Sequence, residues 1–169
     1  MFTTRMRGSG FKETLRQAPS GYELTCGNPT GQFVLPPAQV QHVFIAGGIG
    51  ITPFRSMLRY SADTRTSLQT ILFYFNHSES DILFREELEN ISLQIPTYKL
   101  VHVITQPGAG WKGEQGRLDG ALLRKYVRDL SGTILWLSGP PPMVASYAEI
   151  LAQIGIPQKA IHLDRFVGY

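Results

Sequence analysis

The sequence predicts an α/β fold in which helices cover both faces of an open, five-stranded parallel sheet. From Val40 onward, short apolar runs alternate with stretches whose apolar residues recur at helical spacing, which is typical of such sheets. The clearest run, residues 43–46, ends in glycines, as expected of a central strand buried on both faces. We expect right-handed crossovers between successive strands.

Local signals predict the first two strands and their helices. Thr52 is the predicted N-cap and Pro53 the first residue of the helix that follows the first strand. A second continuous apolar run predicts a strand at residues 71–75. Ser78 and Asp81 have the spacing of a capping box, so a helix is expected to begin there.

The same alternation continues to the end of the chain. Residues 106–116, with four glycines and a proline, are predicted as a loop, and Ser138 to Met143 as a rigid turn, because three successive prolines cannot continue a strand ladder. The remaining predicted elements are strands at 100–104, 133–137 and 160–166 and helices at 118–127 and 143–154.

Residues 1–38 have a different character. Candidate antiparallel strands lie at 2–4 and 22–25, around a short helix near 11–15. Two or three strands are marginal by themselves and too few to close a barrel, so this region is predicted to be the end of a larger unit. Pro36 and Pro37 form the predicted linker to the α/β region.

Composition excludes several classes of protein. Of the 169 residues, 43% are hydrophobic and 17% charged, which is far from the composition of disordered chains. A net charge of +3 gives no argument for nucleic-acid binding. Cys26 is the only cysteine, which excludes internal disulfides and a four-cysteine metal site. With no apolar run long enough for a membrane span and no apolar signal segment after Met1, we expect a cytoplasmic protein.

Glycines between the first strand and its helix are the sharpest local signal. Gly47, Gly48 and Gly50 allow a ligand to approach the backbone, and the helix N-terminus attracts phosphate, so a pyrophosphate site is predicted. The pattern differs from the G-x-G-x-x-G fingerprint, because Pro53 stands at the third glycine position. The alternative is a tight strand-to-helix turn without a ligand.

A second candidate loop follows the predicted fourth strand. Residues 138–143 leave the carboxyl end of that strand, and ligands of open α/β sheets bind beyond such ends. Both loops are therefore expected at one edge of the sheet. A purely structural proline turn is the alternative.

Four motifs, in the same order along the chain, resemble the ferredoxin-NADP reductase superfamily. GGIGITP at 47–53, GPPPM at 139–143 and DRFVGY at 164–169 are similar to its NAD(P)-binding domain. Residues 2–12 are similar to the later part of its flavin-binding barrel, especially in small bacterial flavodoxin/ferredoxin reductase-like proteins. The resemblance implies a C-terminal part of a flavin-binding β-barrel at 1–38 and an NAD(P)-binding α/β domain at 39–169.

The resemblance also implies roles for individual residues. The pyrophosphate of NAD(P)H would lie on residues 47–52 and its nicotinamide beside residues 139–143. Ser138 stands where many members carry Cys, and Asp164 where relatives have Glu, so these two are the candidate catalytic residues. The candidate cofactor-binding residues are Gly47, Gly48, Gly50, Thr52, Pro53, His77, Ser78, Gly139, Pro140, Pro141, Met143, Ser9, Lys12, Phe166 and Tyr169, and no metal ligands are expected.

On the flavin side, Ser9 and Lys12 are expected to face the FAD pyrophosphate, and Phe166 or Tyr169 to pack against the isoalloxazine ring. Relatives carry further barrel strands with an Arg-x-Tyr-Ser motif, and no residues before Met1 supply them. We expect either a fragment of a longer protein or a short form that has lost flavin or borrows strands from a partner, for example in a homodimer.

The implied activity is that of a flavin-dependent oxidoreductase. Hydride would pass from NAD(P)H to FAD, and electrons onward to ferredoxin, flavodoxin or an oxygenase component. Neither nucleic acid nor membrane is an expected partner. The alternative is a flavin-free NAD(P)-binding module, or a subunit of a larger reductase.

The choice between NADPH and NADH stays open at this point. Relatives often carry Arg at the position of His77 to pair with the 2′-phosphate, and His is a weaker partner. Glu79 is instead suited to a ribose diol.

Overall fold

A parallel sheet organises the chain from residue 42 onward. The computed structural model describes residues 3–4, 6, 8–28, 30–31, 33–35 and 39–166. Its strands are β1 (His42–Gly47), β2 (Thr70–Asn76), β3 (Tyr98–Ile104), β4 (Glu114–Gln115), β5 (Ile134–Gly139) and β6 (Ile161–Arg165). The order across the sheet is β4-β3-β2-β1-β5-β6, with every neighbouring pair parallel.

Helices lie on both faces of this sheet. They are α2 (Ile51–Thr64), α3 (Arg85–Gln94), α4 (Gly120–Tyr126) and α5 (Pro141–Gln153), with short 3-10 turns at Gly48–Gly50, Glu79–Asp81 and Gln158–Ala160. A further helix, α1 (Gly10–Gln17), precedes the sheet and has no buried residue. Alternation along β1 divides the core: Val43 and Ile45 pack with residues of α4 and α5, and Phe44 and Ala46 with residues of α2 and α3. The predicted α/β class is confirmed.

The five predicted strands are present, and the structure adds a sixth. β4 is only two residues long and lies inside the predicted loop 106–116, where it pairs with the end of β3. Its glycine-rich surroundings carry no strand pattern. Every residue of β1 and β2 is buried, so the uninterrupted apolar runs mark the centre of the sheet.

Two predicted helix starts need correction. Thr52 does not cap α2, because the 3-10 turn Gly48–Gly50 leads directly into the helix and Gly50 is its N-cap. The capping box of Ser78 and Asp81 is confirmed, but it caps the short 3-10 turn Glu79–Asp81 and not a helix. The helix α3 begins only at Arg85.

The rigid turn predicted at 138–143 is also wrong. Ser138 and Gly139 still belong to β5, while Pro141 and Pro142 are the first two residues of α5. Proline fits there because the first N–H groups of a helix need no intrahelical acceptor.

In the described residues before position 39, α1 is the only regular element. The helix predicted near 11–15 is confirmed, but the strand predicted at 22–25 is wrong, since those residues form no ladder with any described strand. Thr3 and Thr4 are not in a strand either, while Phe2, Pro36 and Pro37 lie outside the described residues. The partial barrel is therefore not observed in this part of the chain. Across the described residues, no helix combines the length and apolar character of a membrane span.

Candidate functional site

The glycine turn after β1 presents unclaimed backbone donors. Neither the turn Gly48–Gly50 nor α2 has a side-chain cap, and no acidic residue lies in the first turn of either. Gly48 has a φ of +51°, a left-handed conformation that favours glycine, and a Cβ there would meet no atom within 4 Å. The geometry is that of an anion site: open N–H groups at the positive end of a 14-residue helix.

At two neighbouring positions, close packing leaves no room for a side chain and so favours glycine. A Cβ on Gly47 would overlap the Met143 sulfur, and one on Gly50 would overlap the carbonyl oxygen of Ser138. These contacts bring the turn against the end of β5 and the start of α5. Gly139 is part of the same junction, since a Cβ there would lie 2.9 Å from the Met143 methyl carbon.

A cleft of about 370 Å³ opens beside this turn, at the carboxyl edge of the sheet. Five predicted site residues line it: Gly47, Gly48, His77, Pro140 and Met143. Pro142, inside the predicted segment 139–143, also lines it, whereas sequence reasoning missed the other lining residues, which are Phe75, Asn76, Asp81, Thr105, Arg117, Ser146 and Tyr147. Thr105 and Arg117 lie beyond the ends of β3 and β4, where no periodic pattern marks them, and Ser146 and Tyr147 belong to α5, whose pattern predicts a helix and not a site. Asn76 alone carried a signal, as the polar residue that closes an otherwise apolar strand.

Asn76 is the least satisfied polar side chain of this cleft. Its side chain belongs to a residue only 5% exposed, and neither its Nδ2 nor its Oδ1 has a hydrogen-bond partner. Its backbone is held, because the Thr105 N–H donates to the Asn76 carbonyl at 3.0 Å and the Gln106 N–H to the His77 carbonyl at 2.9 Å. The backbone that carries the unmet amide is therefore fixed at the end of β2.

The turn after β2 is acidic. The Ser78 N–H and hydroxyl donate to Asp81 Oδ2 at 3.0 and 2.7 Å, so Ser78 orients a carboxylate that lines the cleft. Glu79 is directed elsewhere: it pairs with Arg85 at 3.6 Å and is not part of the lining.

One cation lines the cleft on its α5 side. Arg117 acts on Tyr147, whose pKa is raised chiefly by burial and lowered slightly by the nearby guanidinium. Leu118, next to Arg117, packs with residues of α4 and α5, whereas Ile82, next to Asp81, packs with residues of α2 and α3. The chain neighbours of the two charged residues thus pack on opposite faces of the sheet.

The two candidate catalytic residues are neighbours in the sheet. Ser138 of β5 pairs in register with Asp164 of β6, so both side chains lie on one face. Ser138 is fully buried and its Oγ has no hydrogen-bond partner, while burial raises the pKa of the half-buried Asp164. Neither residue lines the 370 Å³ cleft.

Other predicted residues lie around two further clefts. Asp164 and Pro53 line one of about 860 Å³, together with Phe33, whose ring packs on Phe54 and Trp136 at 5.4 and 5.1 Å. Thr52, Pro53 and Phe166 line one of about 640 Å³. The Phe166 N–H donates to the Gly139 carbonyl at 3.1 Å, which ties this cleft to β5. Pro141 starts α5 without lining any of the three, and Tyr169 lies outside the described residues.

The flavin-side residues offer one feature of a phosphate site. Ser9 caps α1, its Oγ accepting the Lys12 N–H at 3.4 Å, but α1 has no buried residue. Of the described residues before 39, Phe33 and Val34 line the 860 Å³ cleft and Thr3 lines the 640 Å³ cleft, while no residue of α1 lines either, so FAD does not fit α1 as an enclosed site. For NAD(P)H the fit is better, since the open glycine turn, the cleft and the unmet Asn76 amide adjoin one another. Among the described residues, no group of three His, Cys, Asp or Glu side chains is suited to hold a metal ion.

Residues 44–149 match the family model of the oxidoreductase NAD-binding domain. The chain belongs to this family. The match covers β1 through most of α5 and so includes the glycine turn and the whole lining of the 370 Å³ cleft.

Curated relatives agree with this membership. The chain is 29% identical to bovine cytochrome b5 reductase 4 over 158 residues, which are 90% of this chain and 30% of that protein. It is 28% identical to ferredoxin-NADP reductase B of Sorangium cellulosum over 171 residues, which are 96% of this chain and 70% of that protein. The resemblance to the ferredoxin-NADP reductase superfamily is confirmed. The chain spans less than a third of the length of cytochrome b5 reductase 4.

Solved structures share the fold. The cytochrome b5 reductase domain of Ulva prolifera nitrate reductase superposes with a TM-score of 0.66 at 30% identity, covering 73% of this chain and 49% of that one. The CS-b5R domains of human Ncb5or, in an NAD⁺ form, give a TM-score of 0.73 at 25% identity, covering 94% of this chain and 46% of that one.

Proposed function

We propose that this chain is the NAD(P)H-binding part of a flavin-dependent reductase. The complete activity moves hydride from NAD(P)H to FAD and electrons onward to ferredoxin, flavodoxin or an oxygenase component. The observation that carries the proposal is the uncapped glycine turn, which opens onto a 370 Å³ cleft beside α2. Family membership and the reductase names of the relatives support it.

In this proposal the dinucleotide crosses the carboxyl edge of the sheet from β2 to β5. Its pyrophosphate binds the N–H groups of residues 48–50, where no side chain competes for them. The nicotinamide half extends toward Gly139 and Met143, and the adenosine half toward Asn76 and Thr105. The strand order supports this path, because β1 with its glycine turn lies between β2 and β5.

Ser138 and Asp164 are proposed as polar neighbours of the reacting atoms. A nicotinamide ring gains positive charge when it gives up hydride, and a nearby carboxylate stabilises that charge. Their pairing on adjacent strands, with the serine hydroxyl buried and unpartnered, supports a joint role. Both residues orient and stabilise, while the redox chemistry belongs to the cofactors.

Residues 1–38 are proposed as the last part of a flavin-binding barrel and residues 39–169 as the NAD(P)-binding domain. The exposed apolar side chains of Met6, Phe11, Tyr22 and Leu24 support a missing layer over the first of these regions. Cytoplasmic location is proposed from the single, exposed Cys26, which suits a reducing compartment.

The pyrophosphate site is tested by substitution at Gly48. Asn tolerates the left-handed backbone, so Gly48→Asn keeps the fold and fills the open space above the turn. We expect NAD⁺ binding, measured by calorimetry on the 169-residue chain, to weaken about tenfold or more. Gly132→Asn, at a φ of +74° with equally open surroundings, is the matched control. Unchanged NAD⁺ affinity in folded Gly48→Asn would contradict the proposed site.

The flavin half is tested by titrating FAD into the monomeric chain while following flavin fluorescence. We expect weak binding and slow NAD(P)H oxidation with ferricyanide, because the described residues before 39 contain one helix and no strand. Tight, stoichiometric capture of FAD by the monomer would show that no further strands are needed. Binding of nucleotide with no uptake of flavin under any arrangement would favour the flavin-free module.

A further inference from the structure

β6 lies at one edge of the sheet. It pairs with β5 on one side, and no strand of the described residues lies on its other side. At the opposite edge β4 is only two residues long and offers little backbone for pairing. An edge strand of five residues presents a row of N–H and C=O groups, which is a template for another strand. β6 is therefore the strand best suited to extend this sheet.

The hydrogen bonds to β5 show which backbone groups of β6 face the open side. The Phe166 N–H donates to the Gly139 carbonyl at 3.1 Å, and Gly139 lies in register with Arg165. In a parallel pair this geometry directs the backbone groups of Phe166, and of every second residue before it, toward β5. The N–H and C=O groups of Ile161, Leu163 and Arg165 therefore point away from β5.

An antiparallel copy of the same strand fits these outward groups. With a two-fold axis at Leu163, the two Leu163 residues exchange both backbone hydrogen bonds, and Ile161 of each copy does the same with Arg165 of the other. This register pairs all five residues of the strand. It also covers the Leu163 side chain, which is 38% exposed. A register centred on Arg165 would instead place two guanidinium groups directly opposite each other, which is unfavourable.

The remaining two side chains of β6 are complementary in the same register. His162 of one copy lies opposite Asp164 of the other, in the type of antiparallel pair whose side chains are closest. The His162 ring stacks on Trp136 at 4.1 Å between centroids, on the face of the sheet that also carries Asp164. No cation of the described residues lowers the pKa of Asp164, which burial raises. An imidazole N–H donates to such a carboxylate, and the two-fold axis makes two of these pairs.

We propose that two copies of this chain associate through β6, as an antiparallel pair centred on Leu163 that joins their sheets into one. Each candidate catalytic carboxylate, Asp164, thereby gains His162 of the second copy as a partner. The paired edges alone bury less than the roughly 1,200 Å² of a standard interface, so we expect a dissociation constant between about 1 μM and 1 mM. The association needs no nucleotide and is independent of the proposed function.

Sedimentation equilibrium of the 169-residue chain, from about 10 μM to about 1 mM, tests the association. We expect a monomer–dimer equilibrium. Leu163→Lys places two ammonium groups opposite each other and should weaken the dimer about tenfold. Leu93→Lys, at a leucine of α3 that is 82% exposed, is the matched control and should leave the dimer unchanged. A wild type that stays monomeric, or a dimer equally strong in Leu163→Lys, would overturn the proposal, because the edge would then be left to another segment or the dimer would use another surface.

An exchange of side chains tests the register. His162→Asp sets carboxylates opposite each other in both pairs and should weaken the dimer about tenfold. Adding Asp164→His restores opposite partners and should recover most of the lost affinity. Both variants lose the stacking of His162 on Trp136, so the difference between them reports the pairing alone. Circular dichroism checks that each variant is folded, and a folded double variant without recovery would overturn the antiparallel pairing.

Discussion

Helices α1 and α4 have the same kind of N-terminal cap but lie in different environments. Ser9 accepts the Lys12 N–H at the start of α1, and Asp119 accepts the Leu122 N–H at the start of α4. Yet α4 buries Leu122 and Leu123 against the sheet, whereas α1 buries no residue. Local capping signals are thus sufficient to start a helix in either region, but only the region after residue 39 supplies a surface for it to cover.

The largest expected difference between the two regions comes from deleting one aromatic ring in each. Phe73 is fully buried in β2 and packs edge-on against Tyr126 at 5.6 Å, while Phe11 of α1 is 64% exposed. Phe73→Ala should lower the free energy of unfolding by about 3–5 kcal/mol. Phe11→Ala should change it by less than about 0.5 kcal/mol. Urea unfolding followed by circular dichroism measures both, and similar losses would mean that α1 packs as tightly as the sheet.

A glycine pair tests how tightly the turn after β1 is packed. Gly50→Ala places a methyl group against the Ser138 carbonyl and 2.7 Å from the Gly139 Cα, so the backbone must move. We expect a loss of about 1–3 kcal/mol in the free energy of unfolding. Gly108→Ala, where the added Cβ has open space, should cost little. Equal stability of the two variants would show that the junction with β5 yields easily.

A partly buried histidine should make the stability of the sheet depend on pH. Burial lowers the pKa of His102 below its ordinary value of 6.5, with Glu89 raising it and Arg85 lowering it by smaller amounts. Just below pH 6.5 the unfolded chain therefore binds more protons than the folded chain. The contribution of His102 to the free energy of unfolding is fully present above pH 6.5 and is lost as the pH falls below it. The slope from this group is at most about 1.4 kcal/mol per pH unit. Denaturant unfolding at a series of pH values should show a smaller slope in His102→Gln; an unchanged slope would contradict the assignment.

The smallest expected effect compares the two caps directly. Asp119→Ala should cost about 1 kcal/mol, because α4 unfolds together with the sheet it covers. Ser9→Ala should leave the global free energy of unfolding within error, since α1 has no buried residue to couple it to the rest. Urea unfolding reports the first effect and hydrogen exchange of the α1 amides the second. A loss of global stability in Ser9→Ala as large as in Asp119→Ala would contradict this difference.

The sequence correctly predicted those features that are determined by residues close together in the chain. Continuous apolar runs located β1 and β2, and the capping box of Ser78 and Asp81 was correct in its hydrogen bonds. The features that the sequence did not predict correctly are strands whose formation depends on pairing with another segment. A strand at 22–25 had suitable residues but no described partner, and β4 exists only because β3 lies beside it.

The same distinction between local and tertiary features holds for the candidate site. The glycine motif and Met143 were found because they carry a local pattern, and they do line the cleft. Asp81 and Arg117 were not found, because they come together at the cleft only after the sheet has placed the turn after β2 near the segment after β4. No spacing along the chain relates them.

The position of β1 in the sheet also affects how the chain acquires its structure. On one side β1 pairs with β2, and the Thr70 hydroxyl donates to the His42 carbonyl across 28 positions; on the other it pairs with β5, where the Trp136 indole donates to His42 across 94 positions. Contacts between such distant segments form slowly. During synthesis, β1 therefore has an open, apolar edge until β5 has emerged from the ribosome, and an open edge of this kind pairs readily with other chains. A chain that stalls before residue 134 is expected to aggregate through this edge.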